Sequence, residues 1–183
     1  MTRLVLLGRD GVLNTDRADC VKHIGELELI EGAARAVGRL NAAHVMVAVV
    51  TNQSVVGRGV IGRDQLERIQ QELRGRLAAR GARIDLLLDC TDPPGPPSPR
   101  RKPEPGMLIE AMRHFGADPA ATPMIGDSLG DLQAAQRAGC KRVLVVTGKG
   151  RATQAAGLPH DLLPISVCDD LAAAAEAYLA GAI

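Results

Sequence analysis

Strand and helix signals alternate along the whole chain, and this alternation constrains the fold more than any other feature of the sequence. Short apolar runs typical of buried strands are separated by amphipathic stretches. In one of these, Leu66, Ile69 and Leu73 recur at helical spacing and share one face. Such alternation is typical of βαβ units, which bring their strands together in a parallel sheet. We therefore predict an α/β fold with a doubly wound, mainly parallel sheet.

The predicted elements are joined by short connections, with one exception. Strands are predicted at Arg3–Gly8, Val45–Val50, Ile84–Asp89, Met124–Gly126, Arg142–Val146 and Ile165–Val167. Helices are predicted at Gly32–Ala42, Asp64–Ala79, Met107–Phe115, Leu129–Ala138 and Asp170–Leu179. The exception is loop 91–105, which holds seven of the eleven prolines and therefore forms neither a helix nor a central strand. We interpret residues 1–183 as one domain.

Composition excludes several classes of function. Apolar residues make up 46% of the chain, with one Phe, one Tyr and no Trp, so the core is expected to be aliphatic. A net charge of +1 provides no field to attract nucleic acid or an anionic membrane. The apolar runs are too short to span a bilayer, and Arg9 and Asp10 interrupt any secretory signal. We expect a cytoplasmic monomer whose four scattered cysteines are free thiols.

Polar side chains follow four of the predicted strands, at the point where each strand ends. The segments are Gly8–Gly11, Thr51–Ser54, Arg100–Lys102 beyond the third strand, and Gly126–Ser128 with Asp131. Ligands of doubly wound sheets bind outside the carboxyl ends of the strands, so these segments are expected to converge. Acids, a hydroxyl and a lysine on one rim suit a phosphoryl group and a divalent metal.

Taken together, these segments resemble the haloacid dehalogenase superfamily, and within it the small heptose bisphosphate and histidinol phosphatases. The family pattern DxDGVxN corresponds to Gly8–Asn14, and TNQS to Thr51–Ser54 followed by Arg58 and Gly59. The pattern RKPxPGM corresponds to Arg101–Met107, and GDSxxD to Gly126–Asp131. The resemblance implies a Rossmann-like fold with a small or loop-type cap. It also implies a magnesium-dependent phosphatase for a small phosphorylated sugar, of the heptose 1,7-bisphosphate type.

The resemblance also assigns roles to individual residues. In the family, an aspartate at the end of the first strand attacks phosphorus, and Asp10 matches the second aspartate, which protonates the leaving oxygen. Thr51 would donate a hydrogen bond to the phosphoryl group, and Lys102 would neutralise its charge. Magnesium would be bound by Asp127, with Asp131 in support and the Asp10 carbonyl as a further ligand. The residues implied to face the rest of the sugar phosphate are Asn52, Gln53, Arg58 and Arg101.

The chain departs from the family pattern at two places. Gly8 stands in the nucleophile position, and glycine offers neither an attacking oxygen nor the metal ligand that the same carboxylate provides. Loss of a covalent nucleophile costs about 10⁴–10⁶ in rate. The other departure is in the loop, where zinc-bearing relatives place Cys-x-His and Cys-x-Cys. Here Cys90 has Asp92 in the His position and no partner cysteines, so we expect no structural zinc, which takes four ligands.

Two hypotheses follow from these departures. The first is a magnesium-dependent phosphatase scaffold whose turnover is impaired by Gly8 and whose magnesium is weakly bound. The second is a catalytically inactive relative that binds a phosphoester or a protein partner.

Overall fold

Residues 2–183 are described by the computed structural model, and they form six strands and seven helices. The strands are β1 (Leu4–Leu7), β2 (Met46–Asn52), β3 (Leu86–Cys90), β4 (Pro123–Gly126), β5 (Lys141–Val145) and β6 (Ile165–Cys168). The helices are α1 (Ala33–Ala42), α2 (Ser54–Gly57), α3 (Arg63–Ala78), α4 (Gly106–Phe115), α5 (Leu129–Arg137), α6 (Gly150–Ala155) and α7 (Leu171–Leu179). Short 3₁₀ turns lie at Ile24–Glu26, Pro119–Ala121 and His160–Leu162.

The strands form one parallel sheet in the order β3-β2-β1-β4-β5-β6. The chain builds outward from β1 to β3 on one side and from β4 to β6 on the other. The order therefore reverses between β1 and β4, and doubly wound sheets bind their ligands at this switch point. The predicted doubly wound fold is confirmed.

Helices cover both faces of the sheet and bury an aliphatic core. Because successive side chains of a strand point to opposite faces, Val5 and Leu7 pack with α1, α3 and α7, whereas Leu4 and Leu6 pack with α4 and α5. All four side chains are essentially inaccessible to solvent. The two cores hold the ends of β1 and β4 in fixed positions.

The observed elements differ from the predicted ones mainly at their ends. Strand β2 runs two residues beyond the predicted Val50, because Thr51 and Asn52 stay paired with Asp89 and Cys90 of β3. Helices α2 and α6 were not predicted; they are short, and the sequence of α6, GRATQA, has no apolar periodicity. Ile84, predicted to lie in the third strand, precedes β3 and packs into the core.

Two long connections leave the carboxyl edge of the sheet. Residues 8–32 follow β1, and residues 91–105, which contain neither helix nor strand, follow β3. The four cysteines are free thiols, of which Cys90 and Cys140 are buried. Across residues 2–183, no helix combines the length and the apolarity needed to cross a membrane.

Candidate active site

Asp10 lies in a tight turn that follows β1. Hydrogen bonds from Leu13 N to Arg9 O (2.8 Å) and from Gly11 N to Asn14 O (2.7 Å) close the turn. One carboxylate oxygen of Asp10 accepts hydrogen bonds from the Arg9 guanidinium (2.8 Å) and the Asn14 amide (2.9 Å). Burial alone would raise the pKa of Asp10, but the Arg9 charge and the surrounding side-chain hydrogen bonds hold it below its ordinary value.

Arg9 is a site residue that the sequence analysis did not identify. Its side chain is only 1% exposed, and its Nη2 atom donates to Asp10. The other two nitrogen atoms, Nε and Nη1, are buried and have no hydrogen-bond partner. A charged residue between apolar runs, as in LVLLGRDGVL, was the available signal. Buried polar atoms almost always have a hydrogen-bond partner, so these two nitrogen atoms are unusual. Arg9 is thus a buried cation, paired with Asp10, that has unused donors in the wall of the site.

The end of β2 supplies Thr51, Asn52 and Gln53. The Gln53 side-chain amide donates to the second carboxylate oxygen of Asp10 (2.8 Å) and to the Thr51 hydroxyl (2.7 Å). The Asn52 amide forms two hydrogen bonds with the backbone of Lys102, donating to its carbonyl (2.9 Å) and accepting from its N–H (3.1 Å). In this state Asn52 therefore holds the lysine loop in place, and its expected contact with sugar stays a prediction.

Lys102 forms a buried ion pair with Asp131. Its ammonium group donates to Asp131 Oδ1 (2.5 Å) and to the carbonyl of Val50 (2.8 Å). The other Asp131 oxygen accepts from the backbone N–H (3.1 Å) and hydroxyl (2.7 Å) of Ser128, which caps α5. Burial would raise the pKa of Asp131, but the Lys102 charge and these hydrogen bonds hold it below its ordinary value. These contacts fix the positions of both side chains.

Asp127 follows β4, directly across the switch point from Asp10. Its carboxylate accepts from the backbone N–H of Lys149 (2.8 Å). Gly11 and Gly148 have φ values of +78° and +55°, and a Cβ on either would overlap this carboxylate. Burial raises the pKa of Asp127 to about 6, and the nearby charge of Asp131 contributes in the same direction.

Gly8 lies between these groups, at the end of β1. Its φ is not in the left-handed region, and a Cβ built on it would lie 3.1 Å from Val12 Cγ2. The next nearest atoms, Ile125 O and Gly126 Cα, would be at 3.8 and 3.9 Å, which are ordinary contacts. The backbone does not require glycine here, and a shift of Val12 by a few tenths of an ångström would admit a side chain.

Most of these residues line one cavity of about 260 Å³. Of the residues predicted for the site, the lining contains Gly8, Asp10, Thr51, Asn52, Gln53, Arg101, Lys102, Asp127 and Asp131. It also contains Arg9, Asp16, Arg17, Cys20, Ser128 and Lys149, which were not predicted as site residues. Arg58 is not part of this lining; its guanidinium donates to Cys20 Sγ at 3.6 Å. Its contact with a substrate stays a prediction.

The proline-rich loop is held by hydrogen bonds around Cys90. The Cys90 thiol donates to Asp92 (3.4 Å), and the Ser98 hydroxyl donates to the same carboxylate (2.5 Å). The backbone N–H of Arg101 donates to Ser98 Oγ (3.2 Å), and the Arg101 guanidinium donates to the Asp92 carbonyl (3.0 Å). This network connects the loop to the basic residues of the cavity.

Comparisons with known proteins assign the chain to a family. The profile of the HAD-hydrolase-like family matches residues 99–174. D-glycero-β-D-manno-heptose 1,7-bisphosphate 7-phosphatase of Pseudomonas aeruginosa is 41% identical over 176 residues, covering 96% of this chain and 97% of the relative. The chain belongs to the haloacid dehalogenase superfamily. The superfamily assignment based on the sequence motifs is therefore confirmed.

Two solved members of the superfamily share the fold over almost their whole length. The crystal structure of D,D-heptose 1,7-bisphosphate phosphatase from Bordetella bronchiseptica, complexed with magnesium and phosphate, superposes with a TM-score of 0.93 at 40% identity. The match covers 98% of this chain and 99% of that one. The enzyme of the same name from Burkholderia thailandensis gives a TM-score of 0.75 at 36% identity, covering 97% and 99%.

Proposed function

We propose that this superfamily member binds a small phosphorylated sugar of the heptose 1,7-bisphosphate type and turns it over far more slowly than a phosphatase with a nucleophile at position 8. The proposal rests on one observation. The cavity brings Asp10, Thr51 and Lys102 together, whereas Gly8, in the same cavity, has no side-chain oxygen. The names of the relatives support the choice of sugar.

The proposed binding mode follows from the donors in the cavity. The Thr51 hydroxyl and the Lys102 ammonium group donate to the phosphoryl oxygens, and Asp131 keeps Lys102 in position. Asp10 lies within reach of the leaving oxygen, with Gln53 and Asn14 fixing its carboxylate. The rim cations Arg17, Arg101 and Lys149 balance the charge of a second phosphate. A site with donors already in place binds an anion with little reorganisation.

The side chains of the cavity do not form a complete magnesium site. Among residues 2–183, no three His, Cys, Asp or Glu side chains are grouped closely enough to share a metal. Asp131 is bound by Lys102 and Ser128, and the Asp10 carboxylate already accepts three side-chain hydrogen bonds. Asp127 and the Asp10 carbonyl remain, so we propose weak magnesium binding in the absence of a carboxylate at position 8.

The two hypotheses left open by the sequence differ in the rate of turnover. Gly8 favours the hypothesis in which a phosphoester is bound and not hydrolysed at a phosphatase rate, because no other side chain is assigned to attack phosphorus. Binding of a protein partner, the other part of the second hypothesis, stays a prediction. From the sequence we further propose that residues 1–183 act as one domain and as a cytoplasmic monomer.

Thermal melting with added ligand tests the binding proposal. Inorganic phosphate and heptose 1,7-bisphosphate are each expected to raise the melting temperature by about 5–10 °C at one hundred times the dissociation constant. Lys102→Met is expected to reduce this ligand-induced shift. Lys141→Met, which removes the same charge from an exposed position on β5, should leave it unchanged. Melting curves that neither ligand moves would contradict the proposal.

A further inference from the structure

We propose that the space at Gly8 is a binding site for a small free carboxylate, such as formate, which can attack a bound phosphoester in place of the missing side chain. The inference rests on the proposed binding of phosphoesters in the same cavity. It adds a second ligand and a phosphoryl-transfer activity to that cavity.

The geometry at Gly8 provides the space. The end of β1 is held by its sheet neighbours, with Gly8 N donating to Ile125 O at 2.9 Å, so the backbone does not close over the position. Beyond the contact with Val12 Cγ2, an added Cβ would have ordinary van der Waals neighbours. Gly8 also lines the cavity directly. Formate has three heavy atoms, a small fraction of what a cavity of about 260 Å³ accommodates.

The charges of the cavity favour an anion. Its lining contains five basic side chains and four acidic ones. Arg9 is fully buried in this lining and has two nitrogen atoms without hydrogen-bond partners. A buried cation with unused donors lowers the free energy of bringing a second anion beside a phosphoryl group.

The proposed step balances without an oxidant or reductant. A carboxylate oxygen forms a bond to phosphorus, the bond from phosphorus to the ester oxygen breaks, and the products are an acyl phosphate and the leaving group. With p-nitrophenyl phosphate, nitrophenolate leaves as an anion and needs no proton. With a sugar phosphate, the leaving oxygen takes its proton from water. Water then hydrolyses the acyl phosphate to phosphate and the original carboxylate.

The test measures nitrophenolate release by the wild-type protein in 1 M sodium formate and in 1 M sodium chloride, with magnesium present in both. Formate is expected to raise the rate at least about tenfold, since free carboxylate replaces part of the effective concentration that a tethered one provides. Acetate should act more weakly and pivalate not at all, because their alkyl groups would press on Val12 beside Gly8. With acetate, the acetyl phosphate formed should be trapped by hydroxylamine as acetohydroxamate.

Gly8→Ala is the matched variant for this test. Its Cβ would overlap the space that the free carboxylate needs beside residue 8, so formate should no longer raise the rate. Phosphate should still raise the melting temperature. The inference would be overturned if the rate of nitrophenolate release were the same in formate as in chloride. It would also be overturned if formate raised the rate of Gly8→Ala as much as that of wild type. If phosphate still stabilises the protein in that case, the binding proposal survives; if phosphate has no effect either, both fail.

Discussion

Gly8→Asp is the substitution whose outcome depends most directly on the geometry of the site. The backbone at Gly8 is outside the left-handed region, so aspartate adopts it without strain. Its Cβ would press on Val12 Cγ2 at 3.1 Å, which Val12 relieves by moving a few tenths of an ångström, at a cost of about 1 kcal/mol. A third carboxylate beside Asp10 and Asp127 costs about 1–3 kcal/mol more when no magnesium is present. Since small domains have about 5–15 kcal/mol of stability, the variant is expected to fold.

The gain in catalysis is expected to be larger than the loss in stability. A covalent nucleophile contributes about 10⁴–10⁶ in rate, which corresponds to about 5–8 kcal/mol of barrier. The new carboxylate would also supply the metal ligand that the cavity lacks. Because Asp10, Thr51 and Lys102 are already in place, we expect phosphate release from heptose 1,7-bisphosphate to rise by at least about 10²-fold over wild type.

Phosphate release by wild type, Gly8→Asp and Gly8→Asn, each with and without magnesium, provides the assay. Gly8→Asn has the same size but a poor nucleophile, so it should stay at the wild-type level. Adding Asp10→Asn to Gly8→Asp should remove the gained activity. Rapid magnesium-dependent turnover by wild type would show that another group attacks phosphorus. A folded but inert Gly8→Asp would show that the remaining groups no longer have productive positions.

Three further predictions concern stability and metal content. Lys102→Met leaves the Asp131 carboxylate buried without its partner. Chemical denaturation should show that it lowers the free energy of unfolding by about 3–5 kcal/mol. The control Lys141→Met should change the free energy of unfolding by less than about 0.5 kcal/mol. The pKa of Asp127 is about 6 in the folded protein, above its ordinary 3.8, so folding binds extra protons between these pH values. The contribution of this group to stability therefore falls as pH rises through that range. In metal-free buffer, Asp127→Asn should therefore be more stable than wild type by about 2–3 kcal/mol at pH 7, with the difference shrinking towards pH 4; an unchanged difference would contradict the assignment. Elemental analysis should find well below one zinc per chain, because the Cys90 thiol is hydrogen-bonded to Asp92 and Ser98 and has no neighbouring cysteines in the sequence. Stoichiometric zinc would contradict this prediction.

The sequence predicted the fold well because its signals are local. Apolar runs and helical spacing identified all six strands and the five longer helices, and the rule for parallel sheets indicated which strand ends meet. Helix α6 could not be predicted in this way, because its stability comes from its place against the sheet. Its Gly150 is buried, and the Thr153 hydroxyl donates to the Asp127 carbonyl at 2.9 Å.

The site was predicted in part, for a related reason. The residues assigned to it lie in the patterned segments, and all but Arg58 line the cavity. The sequence could not show which polar atoms already form hydrogen bonds within the protein. The Asn52 side-chain amide donates to and accepts from the backbone of Lys102, and the Gln53 amide donates to Asp10. Lys149 follows the fifth strand, where the rule for strand ends also applies, but it belongs to none of the family motifs that identified the other residues.

The central claim is that the cavity binds a sugar bisphosphate that it does not hydrolyse at a phosphatase rate, and ³¹P NMR of one sample tests both halves of it. Wild-type protein is mixed with heptose 1,7-bisphosphate and magnesium, and the two phosphorus signals are followed over days. The account predicts that both signals shift or broaden on addition of protein and then persist, with inorganic phosphate accumulating only slowly. Signals that protein leaves unmoved, or complete release of one phosphate within minutes, would contradict it.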